Sequence, residues 1–148
     1  MKYGTLPIVV LGLLLISGCM RHDIQMYESV DHSEKSVTVP AGSSGLKGEL
    51  KQFLCTAGWS MAVYRGPEVF EGEIGQDVRI DKSDTFNTRY RLFVTSRRYD
   101  WCLNFSPAVE YDISFVDNAT GSEVFTINGR GCEPDVLKHF QDALGDVH

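Results

Sequence analysis

Apolar residues are spaced in three ways along this chain: one continuous run, two stripes of helical period, and several segments that alternate. The run is Leu11-Gly12-Leu13-Leu14-Leu15-Ile16, behind a short start with one cation, Lys2. A bilayer-spanning helix needs about 20 apolar residues, so this run is too short and has the size of a secretory signal's centre. From Met20 to Lys35 the chain is polar and aperiodic and reads as a tether. About sixteen flexible residues have an end-to-end distance of about 20–25 Å. Ser36-Val37-Thr38-Val39 is a short strand closed by Pro40. Leu46, Leu50, Phe53, Leu54 and Ala57 then form one helical stripe that Gly58 stops. Gly48 lies inside that helix at a cost of about 1 kcal/mol relative to Ala. Trp59 to Tyr64 is a strand with Trp59, Met61 and Val63 on its inner side.

The C-terminal half alternates more clearly. Arg89 to Arg97 is a strand with Tyr90, Leu92 and Val94 inward and Arg89, Arg91 and Arg97 outward. Val109, Tyr111, Ile113 and Phe115 alternate with Glu110, Asp112 and Ser114 in the next. Asp117-Asn118-Ala119-Thr120-Gly121 is a hairpin connection, and Glu123 to Arg130 returns with Phe125 and Ile127 inward. A closing helix starts at Pro134, with Glu133 and Asp135 at its positive end. Its stripe is Val136, Leu137, Phe140 and Leu144, and Gly145 ends it. Between the halves, Arg65 to Thr88 is a long acidic excursion, a solvated loop of the kind that often binds or covers something. Asp77–Asp84 within it has a calcium loop's acids but not its glycine or closing glutamate, and Arg79 occupies a ligand position. The expected fold is a single small α+β domain over 36–148. It has a largely antiparallel sheet of about four to five strands, one helix after the first strand and one closing C-terminal helix.

Leu15-Ile16-Ser17-Gly18-Cys19 resembles the lipobox of bacterial lipoproteins: a branched apolar residue, small residues, then cysteine. The resemblance implies removal of residues 1–18 as a signal peptide, acylation of Cys19 and a new N-terminus there. Each buried methylene is worth about 0.8 kcal/mol, so the three chains of such an anchor hold effectively permanently. Asp after the cysteine retains Gram-negative lipoproteins in the inner membrane; Met20 stands there, which implies the outer membrane and a domain facing the periplasm. Loss of Lys2 takes the formal charge from −6 to −7. So acidic a domain is a poor partner for nucleic acid or for anionic lipid surfaces.

Beyond Cys19 three cysteines remain: Cys55, Cys102 and Cys132. Export to an oxidising compartment favours one disulfide among three possible pairings. In a meander the first and third strands finish at the same end of the sheet, and Cys102 and Cys132 follow those finishes. Their bridge closes a loop of about 30 residues, worth roughly 3–4 kcal/mol in the entropic account. Cys55 lies opposite the helix stripe, beside Lys51 and Gln52, as the odd thiol.

Catalytic chemistry has little to work with. His22 and His32 fall in the tether, His148 is terminal, and His139 sits on the polar flank of the closing helix. No hydrolase, P-loop or paired-cysteine motif is present, and zinc held by Cys102, Cys132 and His139 would compete with the disulfide. No enzyme activity, metal or cofactor is expected beyond the covalent lipid on Cys19. Arg89, Arg91, Arg97 and Arg98 offer an anionic-ligand patch, or else pair across strands with Glu110 and Asp112. Trp101 and Phe105, around Cys102, are either core residues or a partner contact.

The pieces Ala57-Gly58-Trp59, Arg65-Gly66-Pro67-Glu68, Thr88-Arg89-Tyr90-Arg91-Leu92, Tyr111-Asp112-Ile113-Ser114, Val116-Asp117-Asn118 and Gly129-Arg130-Gly131-Cys132 resemble small outer-membrane lipoproteins of Gram-negative bacteria. Tyr99 to Cys132 also resembles the disulfide-bonded pilotins that carry secretin subunits to the outer membrane, although the long closing helix departs from them. These resemblances imply a non-catalytic, membrane-anchored adaptor or assembly factor with an envelope protein partner. The alternative is a module that binds a small anionic ligand or a glycan.

Overall fold

A computed structural model describes residues 21–64 and 88–145. The leader with Cys19, and the excursion from 65 to 87 with its calcium-loop-like segment, lie outside the described residues. The elements are β1 Arg21–Met26, β2 Ser36–Val39, α1 Leu46–Thr56, β3 Ser60–Val63, β4 Tyr90–Trp101, β5 Pro107–Asp117, β6 Glu123–Cys132 and α2 Glu133–Leu144. The strands make one six-stranded sheet in the order β1-β6-β5-β4-β2-β3.

The meander β4-β5-β6 forms as the alternation predicts, with Val94 opposite Ile113 and Ile113 opposite Ile127. Inward residues from these strands meet both helices in one core. Phe115 is its hub, stacked on Tyr90 at 5.0 Å and on Phe125 at 5.1 Å between ring centroids. Phe140 of α2 stands edge-on to Phe115, Phe125 and Phe53 of α1, the tilted geometry that aromatic quadrupoles favour. Leu46, Leu50 and Leu54 are wholly buried, so the α1 stripe is as read. At Gly48 a side chain would strike the Ser43 carbonyl, which accounts for a glycine inside that helix.

Three features of the sheet differ from the expectation. It has six strands, it is mixed, and its first helix follows the second strand. β2 pairs parallel with β3, because β2-α1-β3 is a crossover unit whose helix returns the chain in the same direction, and it also pairs parallel with β4. Val37, Thr38 and Val39 are all buried, as in a strand covered on both faces; four residues are too few to show that period. The polar stretch read as a tether contributes β1, paired antiparallel with β6 from Arg21↔Arg130 to Met26↔Phe125. β1 holds its place by backbone hydrogen bonds while five of its six side chains are exposed, so it lacks the apolar alternation that reveals a strand. The loop after it is also fastened, since the Asp31 amide donates to the Tyr90 hydroxyl at 2.8 Å. β3 is the opposite edge. Trp59 just before it is buried, but Met61 and Val63 are exposed.

Candidate functional site

Register places the charged side chains of the sheet's open face in rows. Arg97 lies opposite Glu110, Glu110 opposite Arg130, and Arg130 opposite Arg21. Glu110 accepts from Arg97 at 2.8 Å and from Arg130 at 2.9 Å. Those two donors hold its carboxyl below the ordinary carboxylate range, and in return Glu110 raises Arg130. The face is concave here. A hollow of about 820 Å³ is lined by these four residues with Asp23, Thr95, Asp112 and Asn128 among its neighbours. Cations and acids balance across it. Asp112 pairs by register with Thr95 and Asn128 rather than with an arginine.

The predicted arginine patch is not one site. Arg91 and Arg97 are six residues apart on β4, about 20 Å along the strand. Arg89 donates to buried Asp117 at 2.7 Å, anchoring the start of β4 to the β5–β6 turn. Asn118 and Ser36 bond the neighbouring backbone at Thr88 and Arg89. The Arg91 guanidinium lies over the Tyr64 ring at 4.9 Å and the Phe93 ring at 5.2 Å. Arg97 belongs to Glu110, and Arg98 covers Trp101 at 5.1 Å. Each cation has its own partner in a different part of the sheet.

Trp101 and Phe105 are both exposed, and they are not core residues. The end of β4 and the β4–β5 connection project Tyr99, Trp101, Leu103 and Phe105 at 50%, 59%, 102% and 87% exposure. Cys102 is bonded to Cys132, the residue that opens α2, while Cys55 is free and exposed. Within the loop Cys102 N–H donates to the Ser106 carbonyl, Phe105 N–H to the Cys102 carbonyl, and Ser106 to Asn104 Oδ1. Phe105 is held at φ +61, an unusual conformation for a bulky residue.

One cluster escaped the sequence reading. His22 is the single half-buried side chain of β1, and its Nδ1 lies 2.6 Å from the Tyr111 hydroxyl. Its ring centroid is 4.4 Å from that of His139 on α2. Burial first, and His139 second, push the His22 pKa down, against a smaller pull from Asp135. Burial pushes Tyr111 up to about 12. The signal lay in Gly129 and Gly131, which β1 crosses so closely that a side chain at either would strike Arg21 or His22. Among the described residues no group of three or more metal-ligating side chains is gathered, and no helix is long and apolar enough to cross a membrane.

No family model matches the chain, and no curated protein matches it. Among solved structures it is similar to the PelC dodecamer from Paraburkholderia phytofirmans, in two crystal forms. One form has 11% sequence identity and a TM-score of 0.55, over 84% of this chain and 98% of that one. The other, a single-residue variant, has 10% identity and a TM-score of 0.50, over 85% of this chain and 97% of that one. At such identity the likeness is one of fold, and the matched region spans nearly the whole PelC chain.

Proposed function

We propose that this chain is a lipid-anchored, periplasm-facing lipoprotein of the outer membrane that works without catalysis as an adaptor or assembly factor in an envelope complex. The observation that carries this reading is how closely the anchor joins the fold. Cys19 of the lipobox-like segment precedes β1 by two residues, about 7 Å of extended chain, so an acyl anchor there would hold the domain itself at the membrane. The disulfide suits an oxidising compartment, and Met20 after the cysteine suits the outer membrane. For a partner the fold offers β3, whose outer edge is unpaired among the described strands and carries exposed Met61 and Val63. Unpaired edges are ready templates for strand addition, by a secretin-like client or by another copy. The two sheet edges, β1 and β3, are unlike, so copies joined through β1 of one and β3 of the next would associate head-to-tail, which makes a ring where the rotation closes. The PelC proteins of the same fold are dodecamers.

Crosslinking and pull-down from intact cells tests the proposal, comparing the natural chain with Cys19→Ala. The same envelope proteins, or the same ladder of self-crosslinked species, recovered only with the anchored form are expected. Equal recovery of nothing by both forms, at normal abundance, would remove the adaptor reading. A second reading rests on the balanced hollow around Glu110, which suits a neutral polyol such as a glycan better than an anion. Thermal stabilisation by envelope oligosaccharides, lost in Glu110→Ala, is its expected sign.

A further inference from the structure

The end of β4 and the loop after it place four large apolar side chains in solvent within seven residues, Tyr99 to Phe105, and none of them belongs to the hydrophobic core or packs against it. Loops that expose apolar residues by accident are floppy. This one is stapled by the Cys102–Cys132 bridge and by its own backbone hydrogen bonds. The fold therefore holds an apolar tip outward.

The strand register says what lies beside that tip. β1 runs antiparallel to β6, with Arg21 opposite Arg130 and Cys132 two residues further along β6. Arg97 and Glu110 continue the same row on β4 and β5, and Trp101↔Pro107 closes that hairpin just beyond. The chain thus enters β1 at the end of the sheet where the loop protrudes. Across the sheet, β1 and β4 are three strand spacings apart, about 14 Å, and Cys19 lies within about 7 Å of chain from Arg21. The expected lipid attachment and the apolar tip share one end of the molecule.

The chemistry of that end is graded. The tip carries Leu103 and Phe105, the most exposed apolar side chains of the loop. Behind them stand Trp101 and Tyr99, the two residue types that concentrate at membrane interfaces, each under a guanidinium: Arg98 at 5.1 Å and Arg130 at 5.8 Å. Arg21 and Arg97 stand in one row across the sheet with Arg130 and Glu110. Apolar tip, amphipathic rings and then charged residues follow the depth order of a bilayer: acyl chains, interface and headgroups. A protein partner would need a cleft to receive four fanned side chains; a lipid surface needs none.

We infer that the Tyr99–Phe105 loop is a second membrane contact, inserted into the interface of the leaflet that holds the acyl chains. It adds little to retention, which the acyl chains already secure, and instead fixes the tilt of the domain. One end of the sheet then lies on the bilayer and the β3 edge is turned to a constant direction. This inference rests on the lipid-anchor reading above.

The test uses the full lipidated chain, reconstituted into vesicles of phosphatidylethanolamine and phosphatidylglycerol with and without acyl-chain bromine. The two tryptophans separate cleanly, since Trp59 is buried in the core and Trp101 is exposed. Flotation of the vesicles reports the anchor, and tryptophan emission reports the loop. Expected are co-flotation, a blue shift of emission on reconstitution, and a bromine-dependent loss of emission that Trp101→Phe abolishes. Leu103→Asp with Phe105→Ser should keep the circular dichroism and flotation of the natural chain and lose the shift and the quenching. Co-flotation with unshifted, unquenched Trp101 emission would overturn the loop contact and leave the anchor standing. Failure to float would overturn both.

Discussion

His22 shows how a single residue couples an edge strand to a helix. Its ring fits where Gly131 has no side chain, meets the Tyr111 hydroxyl and faces His139 across the seam between β1 and α2. Because burial and His139 lower its pKa in the folded chain, the unfolded chain binds the extra proton at higher pH. Stability therefore rises with pH through this window and is lost as pH falls below about 6.5, the ordinary histidine value. Thermal unfolding followed from pH 7.5 down to about 5.5 should show that decline, flattened in His22→Gln, and an unchanged slope in that variant would assign the effect elsewhere. Gly131→Ala tests the same niche by size. Its new methyl would strike the His22 ring, so β1 amides should lose hydrogen-exchange protection while those of β5 keep theirs. The Arg97–Glu110 pair was legible in the sequence because alternation on two flanking strands fixes what lies opposite what. The His22 cluster was not, because one inward residue among five outward ones makes no period.

At the scale of elements, legibility follows how much apolar surface each element buries. α1, α2 and the β4-β5-β6 meander each bring three or more inward residues at a regular spacing, and all were placed within a few positions. β1 is held by backbone pairing and one inward side chain, His22, and β2 is buried on both faces, so neither displays the amphipathic alternation that marks a one-sided strand. The parallel direction of β2 and β3 is a consequence of the intervening helix, and a strand-helix-strand order was present in the sequence without being read as a crossover. The meander's strength concentrates in Phe115, which touches aromatic rings from β4, β6, α2 and the residue before β3. Truncating so central a ring removes both its burial and the packing of four neighbours. Phe115→Ala should cost about 3–5 kcal/mol in urea unfolding, whereas Phe93→Ala on the open face, half exposed, should cost well under half of that.

For the whole molecule, one covalent link joins the end proposed to face the membrane to the closing helix. The Cys102–Cys132 bridge spans 30 residues of sequence, enclosing β5 and β6 and tying the exposed loop to the first turn of α2. Its entropic effect on the unfolded chain is worth about 3–4 kcal/mol, a large part of the 5–15 kcal/mol that holds a typical small domain. Cys55 is exposed and free, so reduction opens a route to exchange between the wrong partners. A Cys55→Ser background isolates the bridge. In that background, Cys102→Ser with Cys132→Ser should lower the unfolding free energy by about 3–4 kcal/mol with little change in the native circular dichroism. Loosening of the loop is a separate effect with a separate sign: proteolysis between Tyr99 and Phe105 should accelerate even under conditions where the rest of the fold is intact. If stability falls but the loop stays protected, its own hydrogen bonds suffice to shape it and the bridge serves the helix. If both fall together, the bridge is what allows an acidic domain to present an apolar tip without collapsing it onto its own core.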